Sequence, residues 1–196
     1  MARRDDTSRT LSVELFSTVD GFAAGTKAEG YFGMYGPQLA AWIDEQVSRP
    51  HVMVMGRKTY VELADIVATH EDPSFDKMTE IRKLVFSSTL TEPLPWANTT
   101  LIRDEIGIAM PGLKAEPGDP LRLIGSLSLL RRLVTLGLVD LLRLIVFPQV
   151  LAETGTSPIF AGLPDLTMEL DDTLVLDGRL VVIDYRPHSP DTSSDS

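Results

Sequence analysis

The sequence has no cysteine, only three histidines, and no apolar run near the ~18–20 residues that span a bilayer. The missing thiols exclude disulfides, thiolate metal sites and a cysteine nucleophile. They suit a reducing compartment. The opening Met1-Ala2-Arg3-Arg4-Asp5-Asp6 lacks the apolar centre of a secretory signal, so a cytoplasmic protein is expected. His51, His70 and His188 are scattered and form no HExxH-like spacing, which predicts no metal site. A Ser-His-Asp triad stays open, but there is no GxSxG elbow to present it. Basic residues are scarce: 18 Lys and Arg stand against 28 Asp and Glu, for a net charge of -10. A chain so acidic is a poor partner for nucleic acid, and an anionic ligand must find a local basic pocket in it.

What is present reads as one α/β domain over residues 10–186, with flexible polar tails at 1–9 and 187–196. Hydrophobic residues make up 43% of the 196, enough for a real core. Strand-like segments fall at 10–18, 51–55, 83–87, 99–103, 121–125 and 142–148. Helical spacing falls at 38–48, 58–68 and 126–136. Residues 166–176 and 179–185 flank Asp177-Gly178, a strong hairpin signal. This order predicts a mostly parallel central sheet with an antiparallel C-terminal hairpin. The leucine-rich stretch 129–144 carries more leucine than one buried helix face needs, and part of it is expected on a dimer surface.

Ligands of such sheets sit at the carboxyl ends of the strands, so the residues there carry the functional reading. After the first strand comes Thr18-Val19-Asp20-Gly21, either a plain turn or a carboxylate aimed into a pocket. After the second come Gly56, Arg57, Lys58 and Thr59 at a helix start. Free amides, a planar guanidinium and a point charge there suit phosphate, and no acid stands directly beside the two cations. Ser87-Ser88-Thr89 follows the third strand and can bond a ribose or phosphate, or cap a turn. Ile124-Gly125-Ser126 opens another helix, and its small residues suit a pyrophosphate. It is not a GxGxxG fingerprint, so a Rossmann dinucleotide fold is not indicated, and there is no P-loop lysine motif.

Taken together these segments resemble the dihydrofolate-reductase-like family, and within it the RibD C-terminal reductase domain. Val54-Met55-Gly56-Arg57-Lys58-Thr59-Tyr60 looks like the signature at the cofactor phosphates. Ser17-Thr18-Val19-Asp20-Gly21 looks like the S-x-D-G loop. Leu123-Ile124-Gly125-Ser126 with Gly137-Leu138-Val139-Asp140-Leu141-Leu142-Arg143-Leu144 is similar to the GG…GLVDELRL segment, and the stretch from Pro148 to Phe160 to the P…G…PLF loop. The similarity runs from about Leu11 to Tyr185.

The resemblance implies a three-layer dihydrofolate-reductase-like fold, a homodimer, and NADPH-dependent hydride transfer to a small heterocyclic, imine or carbonyl substrate. It is similar in this to 5-amino-6-(5-phosphoribosylamino)uracil reductase of riboflavin biosynthesis, here as a stand-alone bacterial-type member. By the same resemblance Gly56, Arg57, Lys58 and Thr59 hold the 2′-phosphate and pyrophosphate. Ser87 and Ser88 meet the adenosine side, and Ile124, Gly125 and Ser126 carry the pyrophosphate. Val19 and Gly21 meet the nicotinamide, beside Asp20 as the catalytic candidate. Tyr31, Phe32, Tyr35 and Trp42 are candidates for the substrate side, although the apolar helix stripe of Trp42 favours a place in the core. The glycine-containing loop 25–36 is a candidate lid. Residues 38–42 contain no carboxylate where folate-reducing members have one. Folate reduction is therefore the alternative, along with a nucleotide-binding module without turnover.

Overall fold

The computed structural model describes residues 8–188. Eight strands form one sheet: β1 (Leu11–Thr18), β2 (Val52–Gly56), β3 (Lys83–Phe86), β4 (Thr99–Ile102), β5 (Leu121–Ile124), β6 (Leu141–Phe147), β7 (Thr167–Leu176) and β8 (Leu180–His188). Their spatial order is β4-β3-β2-β5-β1-β6-β8-β7. All pairings among β1–β6 are parallel, whereas β8 runs antiparallel to both β6 and β7. The expected parallel sheet with an antiparallel terminal hairpin is the observed one.

Five helices cover the sheet: α1 (Pro37–Ser48), α2 (Arg57–Thr69), α3 (Pro73–Glu80), α4 (Ile106–Ala115) and α5 (Leu127–Thr135). Strand alternation decides which face each covers. Leu11, Val13 and Leu15 of β1 share one core with Ile106 and Met110 of α4 and Leu130, Leu133 and Val134 of α5. The opposite face holds two cores. Leu39 and Trp42 of α1 pack on Ile145, Phe147 and Val182, and Tyr60 of α2 with Met78 of α3 packs on Met53, Met55 and Val85. The result is three layers, with the central parallel strands covered on both faces and the edge strand β7 largely exposed.

Some features differ from the sequence reading. Helices α3 and α4 lie in segments to which the sequence pattern assigns no element. In α4, Gly107, Pro111 and Gly112 mask the helical spacing, and packing of Ile106 and Met110 on the sheet overrides them. Arg9, assigned to a tail, is buried, because its guanidinium donates to the carbonyls of Asp119 and Leu113. Pro187 and His188, also assigned to a tail, pair with Met168 and Thr167 of β7. The remaining tail residues, 1–7 and 189–196, lie outside the described residues. The leucines of 129–144 turn inward: Leu130, Leu133, Leu142 and Leu144 are buried, and Leu129 and Leu138 pack against the same core. The exceptions are Leu136, 40% exposed, and Leu141, half-buried.

Candidate active site

The strand order sets the ends of β3, β2, β5 and β1 side by side, three strand spacings or about 14 Å across. Every strand-end segment singled out in the sequence therefore lies along one stretch of the sheet edge. That stretch contains a notch. β1 pairs with β5 only as far as Glu14↔Ile124, but with β6 as far as Thr18↔Phe147. Leu15–Thr18 thus overhang the end of β5, and Gly125-Ser126 turns away beneath them.

On the β2 side, Gly56 is the N-cap of α2 in extended backbone, and it offers no side-chain cap. Arg57 and Lys58 are exposed. Lys58 is 82% exposed and 3.9 Å from Glu62, so an acid does neighbour the pair, one helical turn on. The α5 start lies beside it. Gly125 (φ 61°) and Ser126 (φ 46°) are both left-handed, a conformation that favours glycine. A Cβ on Gly125 would also meet Thr59 Oγ1 at 3.0 Å. Ser126 accepts the strain of that conformation for two contacts. Its Oγ accepts a hydrogen bond from the Gly56 amide at 2.7 Å and pairs with the Thr59 hydroxyl at 3.0 Å. The Ser126 amide in turn donates to Thr59 Oγ1. Gly56, Thr59, Gly125 and Ser126 form one cluster that locks two helix starts together.

At β3, Ser87 Oγ accepts from the amides of Thr89 and Leu90, the turn-capping alternative, while Ser88 is exposed. Arg103, directly after β4, donates to the carbonyls of Ser88 and Leu90. This third cation of the edge went unread; its signal was a basic residue one step past a strand.

The loop after β1 is zipped to the segment after β6. Val19 donates to Gln149 O, Ala23 to Ser157 O and Thr26 to Thr154 O, and Ile159 returns a bond to Gly21 O. Asp20 fastens this seam. Its Oδ2 accepts from the Leu151 and Ala152 amides at 3.0 and 2.8 Å, and its Oδ1 from the Thr18 hydroxyl at 2.6 Å. The Thr18 hydroxyl, then the Ala152 and Leu151 amides, hold its carboxyl below the usual carboxylate range. Gly155 is needed opposite, since a Cβ there would strike the Phe22 ring. The first half of the candidate lid is therefore bound down. The second half has a tie from β7–β8, Arg179 donating to Met34 O, and the α1 start directly after it is held by Asp177, which accepts from the amides of Gln38 and Leu39.

The aromatic candidates divide. Tyr31 and Tyr35 are 39% and 55% exposed, with ring centroids 5.0 Å apart, and Tyr31 meets Phe16 of β1 edge-on at 5.4 Å. Tyr31 (φ 49°), Phe32 (φ 52°) and Gly33 (φ 70°) make consecutive left-handed residues, a strained turn that sets the exposed tyrosine pair. Phe32 and Trp42 are core: Phe32 packs on Phe147, and Trp42 lies among Leu39, Ile145 and Val182. The bulky faces that suggested substrate stacking serve the α1 layer instead.

Farther down the same sheet face runs a row of charge absent from the sequence reading. Arg143 of β6 makes a two-pronged bond to Asp184 of β8 at 2.7 and 2.6 Å and donates to Gln46 of α1. Glu14 of β1 lies opposite Arg143 in register. Among the described residues no group of three or more His, Asp or Glu could hold a metal ion, and no helix is long and apolar enough to cross a membrane.

Comparison with known proteins concerns the chain as a whole. The sequence model of the RibD C-terminal domain matches residues 9–182. The uncharacterised protein YyaP of Bacillus subtilis (strain 168) is 28% identical over 183 residues, which cover 90% of this chain and 94% of that protein. Two solved structures share the fold at low identity. One is the diaminohydroxyphosphoribosylaminopyrimidine deaminase/5-amino-6-(5-phosphoribosylamino)uracil reductase of Thermotoga maritima (TM-score 0.66, 13% identity, 92% of this chain and 57% of that one). The other is the Enterococcus faecalis dihydrofolate reductase complexed with NADP(H) (TM-score 0.59, 13% identity, 92% of this chain and 97% of that one).

Proposed function

The chain belongs to the RibD C-terminal domain family, and on that premise we propose that it is an NADPH-dependent reductase acting on a small heterocyclic, imine or carbonyl substrate, similar to the reductase of riboflavin biosynthesis. The observation that supports this most is the sheet edge itself. Four successive strand ends present Ser87-Ser88, Gly56-Arg57-Lys58-Thr59, Ile124-Gly125-Ser126 and Val19-Asp20-Gly21 in spatial order. The residues fit a dinucleotide: two helix starts whose N-cap residues offer no side-chain cap lie next to exposed cations. NADPH, when bound, supplies the hydride. Arg57 and Lys58 would bind its 2′-phosphate, with Ser88 on the adenosine side. The amides of α2 and α5 would hold the pyrophosphate.

Val19 and Gly21 would border the nicotinamide at the notch beside β1, and Tyr31 and Tyr35 would stack on a flat substrate ring. Asp20 is kept ionised by three donors, which suits a residue that positions the β1 loop better than one that surrenders a proton. The reading also takes the protein to be cytoplasmic and to associate as two copies. No carboxylate comes from residues 37–43 of α1, so folate reduction has no support there.

Titration with NADPH and NADH tests the reading. NADPH should bind more tightly. Arg57→Ala should weaken NADPH by about 10- to 150-fold, because a charge-assisted phosphate bond contributes about 1.5–3 kcal/mol, and should leave NADH nearly unchanged. Equal affinity for the two coenzymes, or none for either, would overturn it.

A further inference from the structure

Glu14 is the last β1 residue paired with β5, so it stands at the base of the notch, with Leu15–Thr18 overhanging beyond it. Leu11, Val13 and Leu15 belong to the α4–α5 core, so alternation sends Ser12, Glu14 and Phe16 to the other face. The two cores of that face stay apart, one under α1 and the other under α2 and α3. Between them β1 and β5 contribute a polar strip of Ser12, Glu14 and Arg122. Phe16, about 7 Å up the strand from Glu14, meets Tyr31 edge-on at 5.4 Å. Burial first, then Tyr35, Asp72 and Glu14, raises the Tyr31 hydroxyl above its usual pKa, so the carboxyl lies within electrostatic reach of the tyrosine pair.

Among the described residues two buried side-chain oxygens lack a hydrogen bond, Glu14 Oε2 and Gln149 Oε1. Both flank the notch, since Gln149 O accepts from the Val19 amide. The cations near Glu14 are engaged elsewhere. Arg122 donates to Gln46 O, and Arg143 binds Asp184 and the Gln46 side chain, leaving 3.9 Å between Arg143 and Glu14. Buried polar atoms are as a rule hydrogen-bonded, so an exception at a ligand-binding edge points to a partner from outside the chain.

We infer that the Glu14 carboxyl binds the substrate at a nitrogen and gives that nitrogen a proton, which narrows the substrate class to a flat heterocyclic imine with an N–H donor beside the imine nitrogen. A carboxyl group meets such an edge with two bonds, O–H to the ring nitrogen and N–H to its second oxygen. Reduction of C=N needs a proton as well as a hydride. The carbon gains the hydride, given up by NADPH as it becomes NADP⁺, and the π pair moves to nitrogen. The Glu14 O–H bond breaks as the new N–H bond forms, and water returns a proton to the carboxylate. Asp20, fastened by three donors, is not free for this step. The charged and titratable groups that face Glu14 are Arg122, Arg143, Asp184 and Tyr31, and α1 contributes the uncharged Gln46.

The inference rests on the reductase reading, and the experiment separates the two. The probes are 2-aminopyridine and aniline, alike in shape but differing in the ring nitrogen. By calorimetry the full chain should prefer 2-aminopyridine by about 10- to 150-fold, the worth of one hydrogen bond to a charged group. Glu14→Leu should lose the preference while keeping its far-ultraviolet circular dichroism and its affinity for NADPH. Should that variant not fold, Glu14→Gln is read instead. The wild-type preference should fall as pH rises and neither partner holds the proton, whereas the glutamine amide donates at every pH and its preference should stay level on the alkaline side. A chain that binds no NADPH removes the reductase reading. A chain that binds NADPH but shows no preference for 2-aminopyridine, or keeps it in Glu14→Leu, or loses it with rising pH in Glu14→Gln as well, removes the role of Glu14 alone.

Discussion

In the middle of β1, Glu14 is a carboxylate with an incomplete set of partners. Its Oε2 is buried without a hydrogen bond, and the nearest cation, Arg143, stands 3.9 Å away. Burial raises its pKa; Arg122 and Arg143 pull it down, and Asp184 pushes it up again. A raised folded value means that Glu14 favours the folded state fully below the unfolded value of 4.5 and loses this contribution as pH rises through the folded value. The unfolding free energy should therefore decline as pH climbs from about 4.5, by about 1.4 kcal/mol for each tenfold difference in proton affinity. Glu14→Gln cannot ionise and should flatten that decline in urea unfolding at successive pH values. Identical slopes for the two proteins would refute the assignment. The charge row at Glu14, Arg143 and Asp184 was invisible in the sequence because its members are far apart in the chain and meet only through strand register. The place of Gly56, Arg57 and Lys58 at a strand end and helix start was legible because both are local features. Phe32 was misplaced because an aromatic residue outside a periodic segment looks the same in sequence whether it lines a pocket or fills a core, whereas the helical stripe of Trp42 already pointed to the core it occupies.

At the scale of elements, the parallel strands were legible as short apolar runs and the hairpin as Asp177-Gly178. What the sequence concealed was a second task of that turn. Asp177 (φ 51°) accepts from the Gln38 and Leu39 amides at 2.9 and 3.1 Å and so caps α1 from 138 residues away, while the Asp177 amide donates to the Gln38 side chain. Gly36, the N-cap residue of α1, has no side chain to do this, and a Cβ there would collide with Asp177. The cap ties the β7–β8 turn to the segment that follows Tyr31 and Tyr35. Asp177→Ala should cost about 0.5–2 kcal/mol, the usual worth of an N-cap. It should speed hydrogen exchange of the Gln38 and Leu39 amides ahead of the rest of α1. Asp177→Asn tolerates the left-handed backbone, keeps one acceptor and should restore part of the protection. Unchanged exchange in the alanine variant would show that α1 starts without the turn.

For the whole molecule, the decisive tie joins the first strand to the last parallel one. Asp140, the aspartate of the Gly137-Leu138-Val139-Asp140 segment, accepts from the Leu11 amide at 2.7 Å and from Lys114 Nζ at the end of α4. Lys114 also donates to Leu138 O. The two side chains are 12% and 14% exposed, so the pair is largely withdrawn from water. The sequence motif thus works as a structural clamp that fixes β1 against β6 and so fixes the overhang that forms the notch. Removing one member of a buried pair leaves the other charged and unpaired, at a cost of about 3–5 kcal/mol. For a chain of this size each kcal/mol lowers Tm by about 2–4 °C, so Asp140→Ala should melt about 6–20 °C below the wild type. Replacing both partners, Asp140→Leu with Lys114→Met, leaves no orphan charge and should recover most of the loss, apart from the Leu11 amide bond. If the double variant melts no higher than Asp140→Ala, the cost lies in the Leu11 amide and not in the stranded lysine.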